Sequence, residues 1–461
     1  MAGIGFALRK LARQDTLLSG VRAYSHAAVI SCGPWLFTVL ALGGIELLGR
    51  SMVPIPDLQR FSSIVRYDFC FSLVAAGPIA LVLTRQLADQ IYAKDVAIAP
   101  SLFLGALTLL FCIQAVIGVA FYGFVVDLPL SERLLALICL QVAGGIWIAC
   151  PFLSALQSFG SISTAFAVGM LLAFVGAVSA ASVFGAAGML AGFTAGLAFI
   201  FFALAARIFA EYPYQIRSLL VLDFRRYWQF ALIGLLYNAG VWVDKWIMWC
   251  APGNVVIAGG IWSNPPYDSA MFLAYLTIIP ATTLFLIVVE TRFFEHYQRF
   301  YQDIENDATA EEIDRNHISI VRALREGMRS IIALQVAVCY LAILAAPHLI
   351  GMAQGAPEMV PIFRFGVLGA LFHGVLLCAM AILSYFDLRR ELVRVSVAFL
   401  GLNAGLTLAT LWFGLGYQGY GYAGAALLSL IYAYSLVSSR IARLPFVTFI
   451  VNNGELRRRY S

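Results

Sequence analysis

The chain has 461 residues, of which 61% are hydrophobic and 12% charged, with a formal net charge of +5. Soluble domains carry about 25% charged residues, and a mean hydropathy of +0.86 excludes a soluble multidomain enzyme. Apolar runs of roughly 20 residues, each long enough to cross a bilayer, recur along the whole length, so the excess of basic residues reads as membrane-flanking arginine rather than a nucleic-acid surface.

The runs predict twelve membrane helices over 25–48, 67–84, 100–125, 134–157, 162–184, 188–209, 227–250, 269–291, 330–352, 363–385, 392–413 and 421–441. The first run is too long for the apolar core of a cleavable signal peptide and is expected to stay as the first span. Gly33-Pro34 lies inside it, and Gly77-Pro78 lies inside span two. Proline in a membrane helix frees a carbonyl and bends the rod, so Pro34, Pro78 and, in span eight, Pro280 are candidate gating kinks. Arg66 and Asp68 stand at one mouth of span two, and at two residues' spacing they diverge on a regular helix. Gly185 divides 161–209 into two spans by a tight turn.

Span seven carries the strongest signal, Asp244-Lys245 within VWVDKWIMW. A charge at mid-bilayer costs about 2.5–3.5 kcal/mol on insertion scales and faces a partner or a wet surface. Neighbours on a helix point about 100° apart, so each of the two is expected to have its own partner or its own water-filled surface. Trp242 and Trp246 suit either a membrane interface or stacking on sugar faces, while Trp249 reads as an interface ring.

After span eight, 292–329 is the only substantial polar insertion. It reads as a charged helix, a turn and a second helix running into span nine. Asp303, Glu305, Asp307, Glu311, Glu312 and Asp314 make its centre acidic, which fits a plain connector or a docking surface equally. A break at 210–226, with Pro213 and Arg225-Arg226, gives two bundles: 1–209 and 227–443, followed by a basic tail at 444–461. Spans two and eight share a weak pattern, Asp68…Pro78…Thr84-Arg85 against Asp268…Pro280…Thr291-Arg292, as in transporters built from repeats.

Orientation follows from positive charge in the loops. With both termini inside, only Arg50, Arg60, Arg66, Arg133 and Arg364 fall outside, Lys245 is left in the membrane, and the remaining Lys and Arg of the 30 are inside. The eight cysteines sit in or beside apolar runs without metal spacing, so no metal or other cofactor is expected. No Walker A sequence occurs.

The opening MAGIGFALRKL, the GPWLFT of span one, the VWVDKWIMW of span seven and the tail LRRRY resemble the inner-membrane transporters of Pel exopolysaccharide biosynthesis, the PelG family. That family lies in the multidrug/oligosaccharidyl-lipid/polysaccharide exporter superfamily. The resemblance implies an all-α integral membrane fold, with about twelve helices in two six-helix lobes around a central cavity, and no catalytic residues. It also implies a cationic polymer of galactosamine and N-acetylgalactosamine as cargo. The implied partners are a cytoplasmic glycosyltransferase, a cyclic-di-GMP receptor membrane protein and a tetratricopeptide-bearing membrane protein, with the bilayer around the chain and no nucleic acid. A cationic cargo calls for acidic lining, and Asp68, Asp244, Lys245, Trp242 and Trp246 are the candidate path residues. The alternative is a flippase for lipid-linked oligosaccharide or a cation-coupled small-molecule exporter. A membrane enzyme would need acidic pairs such as DxD on a loop, or large loops.

Overall fold

The computed structural model describes residues 17–155, 158–212, 222–288, 293–306, 308–352 and 355–444. The opening words MAGIGFALRKL, most of the 210–226 break, Glu290, Arg292 and the basic tail beyond Leu444 lie outside the described residues. In chain order the helices are α1 Leu17–Met52, α2 Ile55–Tyr92, α3 Ala99–Gly118, α4 Leu130–Ala155, α5 Phe159–Glu211 and α6 Phe224–Trp249. A short hairpin follows, β1 Val255–Ala258 and β2 Ile261–Ser263. Then come α7 Pro265–Leu276, α8 Ile279–Val288, α9 Phe294–Glu305, α10 Ala310–Met352, α11 Met359–Tyr385, α12 Arg389–Phe413 and α13 Tyr420–Ala442.

Ten helical stretches among the described residues are long and apolar enough to cross a membrane. One of these, α5, breaks at Gly185, whose φ of 57° and ψ of −137° leave helical space. Positive φ clashes with a Cβ, so glycine permits the turn. The two halves then close tightly: a Cβ on Gly176 would lie 3.0 Å from the Gly192 Cα, and one on Gly169 would lie 2.9 Å from the Gly196 carbonyl oxygen. Small residues replace apolar bulk at such contacts because lipid gives helices no hydrophobic reason to associate. The turn makes two helical arms of one stretch, and α6, which carries Asp244 and Lys245, is not among the ten. The chain is a multi-pass, all-helical membrane protein.

The fold divides into two compact units, Cys32–Asp268 and a second built from the residues on either side of it. The first unit has a core of Phe61, Ile64, Phe103, Phe152 and Phe193, in which Phe61 meets Phe193 edge-on at 5.9 Å. Within it, α2 and α6 approach until a Cβ on Gly77 would lie 2.6 Å from the Gly234 carbonyl oxygen. The second unit packs α11 against α13, where Tyr422 Oη meets His373 Nδ1 at 2.8 Å, so that buried histidine is a satisfied packing residue.

The polar insertion has the expected form. α9 and the first turns of α10 fold back on each other through Phe293, Phe300, Ile313, Ile320 and Leu324. A capping box opens α10: the Thr309 backbone N–H donates to Glu312 Oε2 at 3.0 Å, and the Glu312 N–H donates to Thr309 Oγ1 at 3.4 Å.

Candidate functional site

Three successive residues of α2 lead to three different partners, because each step around a helix turns about 100°. Arg66 points to the end of the hairpin, where its Nη1 donates to Asp268 Oδ2 at 2.7 Å and to Ser263 Oγ at 2.8 Å. Tyr67 lies between the rings of Trp249, at 4.4 Å, and Phe121, at 5.4 Å. Its hydroxyl donates to the Trp262 carbonyl at 2.9 Å and accepts from the Trp262 N–H at 3.2 Å. Asp68 turns inward and is fully buried, and its Oδ1 accepts from Tyr122 Oη at 2.7 Å. Asp68 Oδ2 meets no nitrogen or oxygen donor among the described residues, and the Cys139 thiol stands beside the carboxyl.

Asp268 gathers more than Arg66. It accepts the Trp249 indole N–H at 3.0 Å and the Asn264 backbone N–H at 3.3 Å. A carboxylate taken out of water needs such donors, since an uncompensated buried charge costs several kcal/mol. The expectation that Trp249 is an interface ring is therefore corrected: it is 3% exposed, because its only polar atom is engaged by a carboxylate inside the fold. The hairpin is also tied to the segment between α3 and α4, the Asp127 N–H donating to the Gly259 carbonyl at 2.9 Å.

Asp244 and Lys245 are 0% and 8% exposed. The expectation of separate partners is also corrected. Lys245 Nζ donates to both Asp244 oxygens, at 3.0 and 2.9 Å, and to the Val241 carbonyl at 3.0 Å. The four-carbon lysine stem is long and flexible, so it curls back along α6 and closes the 100° gap that separates the Cβ atoms. Tyr267 Oη, from α7, donates to Asp244 Oδ2 at 2.7 Å. The charges thus neutralise each other inside the first unit.

Around this pair the tryptophans differ. Trp246 Nε1 donates to Cys70 Sγ at 3.0 Å, whereas the buried Trp242 Nε1 has no partner among the described residues. Trp246 and Pro78 help line an apolar cavity of about 410 Å³, with Phe71, Val74, Leu109 and Ile113. The other two proline candidates behave differently. α1 runs through Pro34, with Thr38 Oγ1 donating to the Pro34 carbonyl at 2.8 Å. Pro280 is the second residue of α8, where a missing N–H costs nothing. The chain breaks just before it, at Thr277–Ile278, and Gln335 Nε2 donates to the Thr277 carbonyl at 2.7 Å.

The sequence reading named Asp68, Asp244, Lys245, Trp242 and Trp246. The structure brings Asp244 and Lys245 together and leaves Asp68 in a separate cluster with Tyr122. It adds Tyr122 and Tyr267, whose signals in sequence are weak because a tyrosine in an apolar run has no distinguishing spacing, and it pairs Asp268, named in sequence only for the repeat pattern, with Arg66.

Comparison with known proteins gives a match to the PelG family of exopolysaccharide exporters (EPS-E) over residues 1–449. Among solved structures, a multidrug/oligosaccharidyl-lipid/polysaccharide superfamily transporter from Pyrococcus furiosus superposes with a TM-score of 0.61 at 14% identity, covering 93% of this chain and 96% of that one. A proline-to-alanine mutant of a MATE transporter gives 0.64 at 13% identity, with 92% and 96% covered. An outward-facing multidrug resistance MATE transporter gives 0.62 at 12% identity, with 91% and 96% covered. At these identities the likeness is one of fold: two lobes, all helical. A search of curated proteins finds no match.

Proposed function

Because the chain belongs to the PelG family of exopolysaccharide exporters, we propose that it carries a growing cationic, Pel-like galactosamine/N-acetylgalactosamine polymer outward across the inner membrane, without catalysing its synthesis. The observation that carries this reading is the family match over nearly the whole chain, on a fold shared with exporters. In this reading a cytoplasmic glycosyltransferase feeds the polymer, and the cyclic-di-GMP receptor and the tetratricopeptide-bearing protein belong to the same assembly. In the same reading the lobes are counted by crossings, 1–209 and 227–443 joined by 210–226, although α6 packs on α2 within the first compact unit, and both termini are cytoplasmic.

The Asp244–Lys245 pair gives the cargo a physical handle. A buried carboxylate already holding one ammonium can exchange it for another of the same chemistry, and a deacetylated sugar supplies such an ammonium. Asp244 is then the acid that meets the polymer, Lys245 the internal counter-ion that fills its place when the path is empty. Trp242 and Trp246 supply flat rings nearby, Asp68 a second acid, and Pro34, Pro78 and Pro280 the flexible points. Removing one partner of a buried pair leaves the other uncompensated, so the test uses the neutral pair Asp244→Asn with Lys245→Gln. Proteoliposomes would hold this variant and the synthase, with radiolabelled UDP-sugar outside. Lumenal polymer should fall at least ten-fold against the unaltered protein at equal protein content. Undiminished lumenal polymer would remove the pair from the mechanism.

One observation favours a second reading, the flippase for lipid-linked oligosaccharide. The 410 Å³ cavity is apolar on the walls formed by Phe71, Val74, Leu109 and Ile113, which suits a hydrocarbon tail better than a sugar. Lumenal label that partitions into organic solvent would favour it; label that stays in water favours the free polymer.

A further inference from the structure

The lower part of α10 carries three arginines, Arg322, Arg325 and Arg329, immediately before the apolar run that opens with Ile331 and Ile332. All three are exposed. None of them has an ion pair with a described residue, unlike Arg315, which meets Glu311 Oε1 at 3.2 Å. At 100° per residue the three fall within about 60° of arc, and over seven residues they climb roughly 10 Å along the axis. They therefore form one short basic stripe rather than a ring.

The same face continues into the membrane. Ile332, Val336 and Tyr340 extend the stripe upward, and Val336 and Tyr340 are 49% and 62% exposed. Leu341 and Leu344 widen that apolar surface. Exposed aliphatic surface on a membrane-crossing helix is solvated by acyl chains, so whatever meets the arginines has hydrocarbon directly beside it. The opposite face is committed to the fold, with Ile320 and Leu324 in the core of the second unit and Ile331 packed against α8 and α11 side chains.

We propose that Arg322, Arg325 and Arg329 form a binding site for the headgroup of an anionic phospholipid, whose acyl chains lie along Ile332, Val336 and Tyr340. Two features fix the class of ligand. Guanidiniums with no ion pair among the described residues call for a phosphate, which they hold in bidentate fashion. The apolar continuation of the same face calls for a ligand with chains attached to that phosphate. The headgroup layer is about 5–8 Å deep on each side of the hydrocarbon, and long arginine side chains can converge within it from three successive turns. A bound lipid would brace α10 where the connector helices meet the membrane.

The test is a titration of the purified full-length chain with phosphatidylglycerol and with phosphatidylethanolamine, read by native mass spectrometry of the complexes. Attraction of about 1 kcal/mol per basic residue at a membrane surface corresponds to roughly five-fold in affinity for each arginine. The variant Arg322→Gln/Arg325→Gln/Arg329→Gln should therefore lose on the order of 100-fold for phosphatidylglycerol, with little change for phosphatidylethanolamine. The corresponding triple lysine variant, which keeps the charge, should retain most of the preference and controls for folding. Raising the salt to 1 M, where the Debye length is about 3 Å, should narrow the gap. Equal binding of both lipids by the unaltered protein would overturn the proposal, as would an unchanged preference in the glutamine variant. Equally tight binding of glycerol 3-phosphate would assign the stripe to a soluble anion instead.

Discussion

A single side chain decides how a charge survives in the first unit. Asp244 and Lys245 are stable together because each cancels the field of the other, and either one alone is not. Asp244→Asn or Lys245→Met by itself should cost about 3–5 kcal/mol, visible as a lowered melting temperature in detergent. The doubly neutral variant should recover most of that loss, giving a large coupling energy in the double-mutant cycle. The same reasoning applies at Asp268, whose counter-ion is Arg66 at 2.7 Å: Arg66→Met should destabilise more than Arg50→Met, since Arg50 pairs with Glu46 at an exposed surface. The sequence located Asp244 and Lys245 easily, because charge inside an apolar run has no other explanation. It could not locate Arg66–Asp268, which lie 202 residues apart, nor foresee that a lysine would bend back onto its own neighbour.

Secondary elements carry their own tests. Gly185 turns α5 with positive φ, and a Cβ there would lie 2.7 Å from Asp57 Oδ2. Gly185→Ala should cost about 1–2 kcal/mol from the backbone alone and push Asp57 off Arg60, lowering thermal stability. The capping box of α10 gives a pH prediction. The Glu312 carboxyl is held below its ordinary value, chiefly by the Thr309 backbone N–H and then by the Thr309 hydroxyl. A depressed carboxylate stabilises the fold above its unfolded value and loses that contribution as pH falls through the folded one. Amide exchange over Ala310–Ile313 should therefore speed up, relative to intrinsic rates, only as pH drops below the usual glutamate range. Glu312→Gln should show no such step. These helices were legible in sequence because length and hydropathy set them: among the described residues, ten apolar stretches, the Gly185 turn and the helix–turn–helix insertion are present. The β1–β2 hairpin was not, because VVIA and IWS fall in the connection left between the spans 227–250 and 269–291, although the Gly259-Gly260 pair between them is a hairpin signal. Gly260 has φ of +87°.

At the scale of the whole molecule, the contacts place α6 with the first unit, and Gly77 is where α2 meets it. Gly77→Leu puts side-chain atoms where the Gly234 carbonyl stands, so it should abolish accumulation of intact protein in membranes while Gly43→Leu, with open space around it, should not. The distribution of basic residues sets a second expectation. With only Arg50, Arg60, Arg66, Arg133 and Arg364 assigned outside, tags on both termini should resist protease in intact spheroplasts and be cleaved once the membrane is opened. The sequence argues for an even crossing count, because a miscount of one would invert the loops that follow it. The division into units was less so, since the residues of the 210–226 break show composition but not which side α6 joins.

The glycine turn in α5 has a consequence for biogenesis. Between Arg133 and Arg207 the chain contains no Lys, Arg, Asp or Glu, so nothing within that stretch tells the insertion machinery which end belongs in the cytoplasm. The two arms around Gly185 close on each other through residues too small to hold a lipid-facing helix alone. They are best delivered as a preformed pair, oriented by the charged segments on either side. Removing one arm would set the charges of every later loop against the orientation that the crossing order demands.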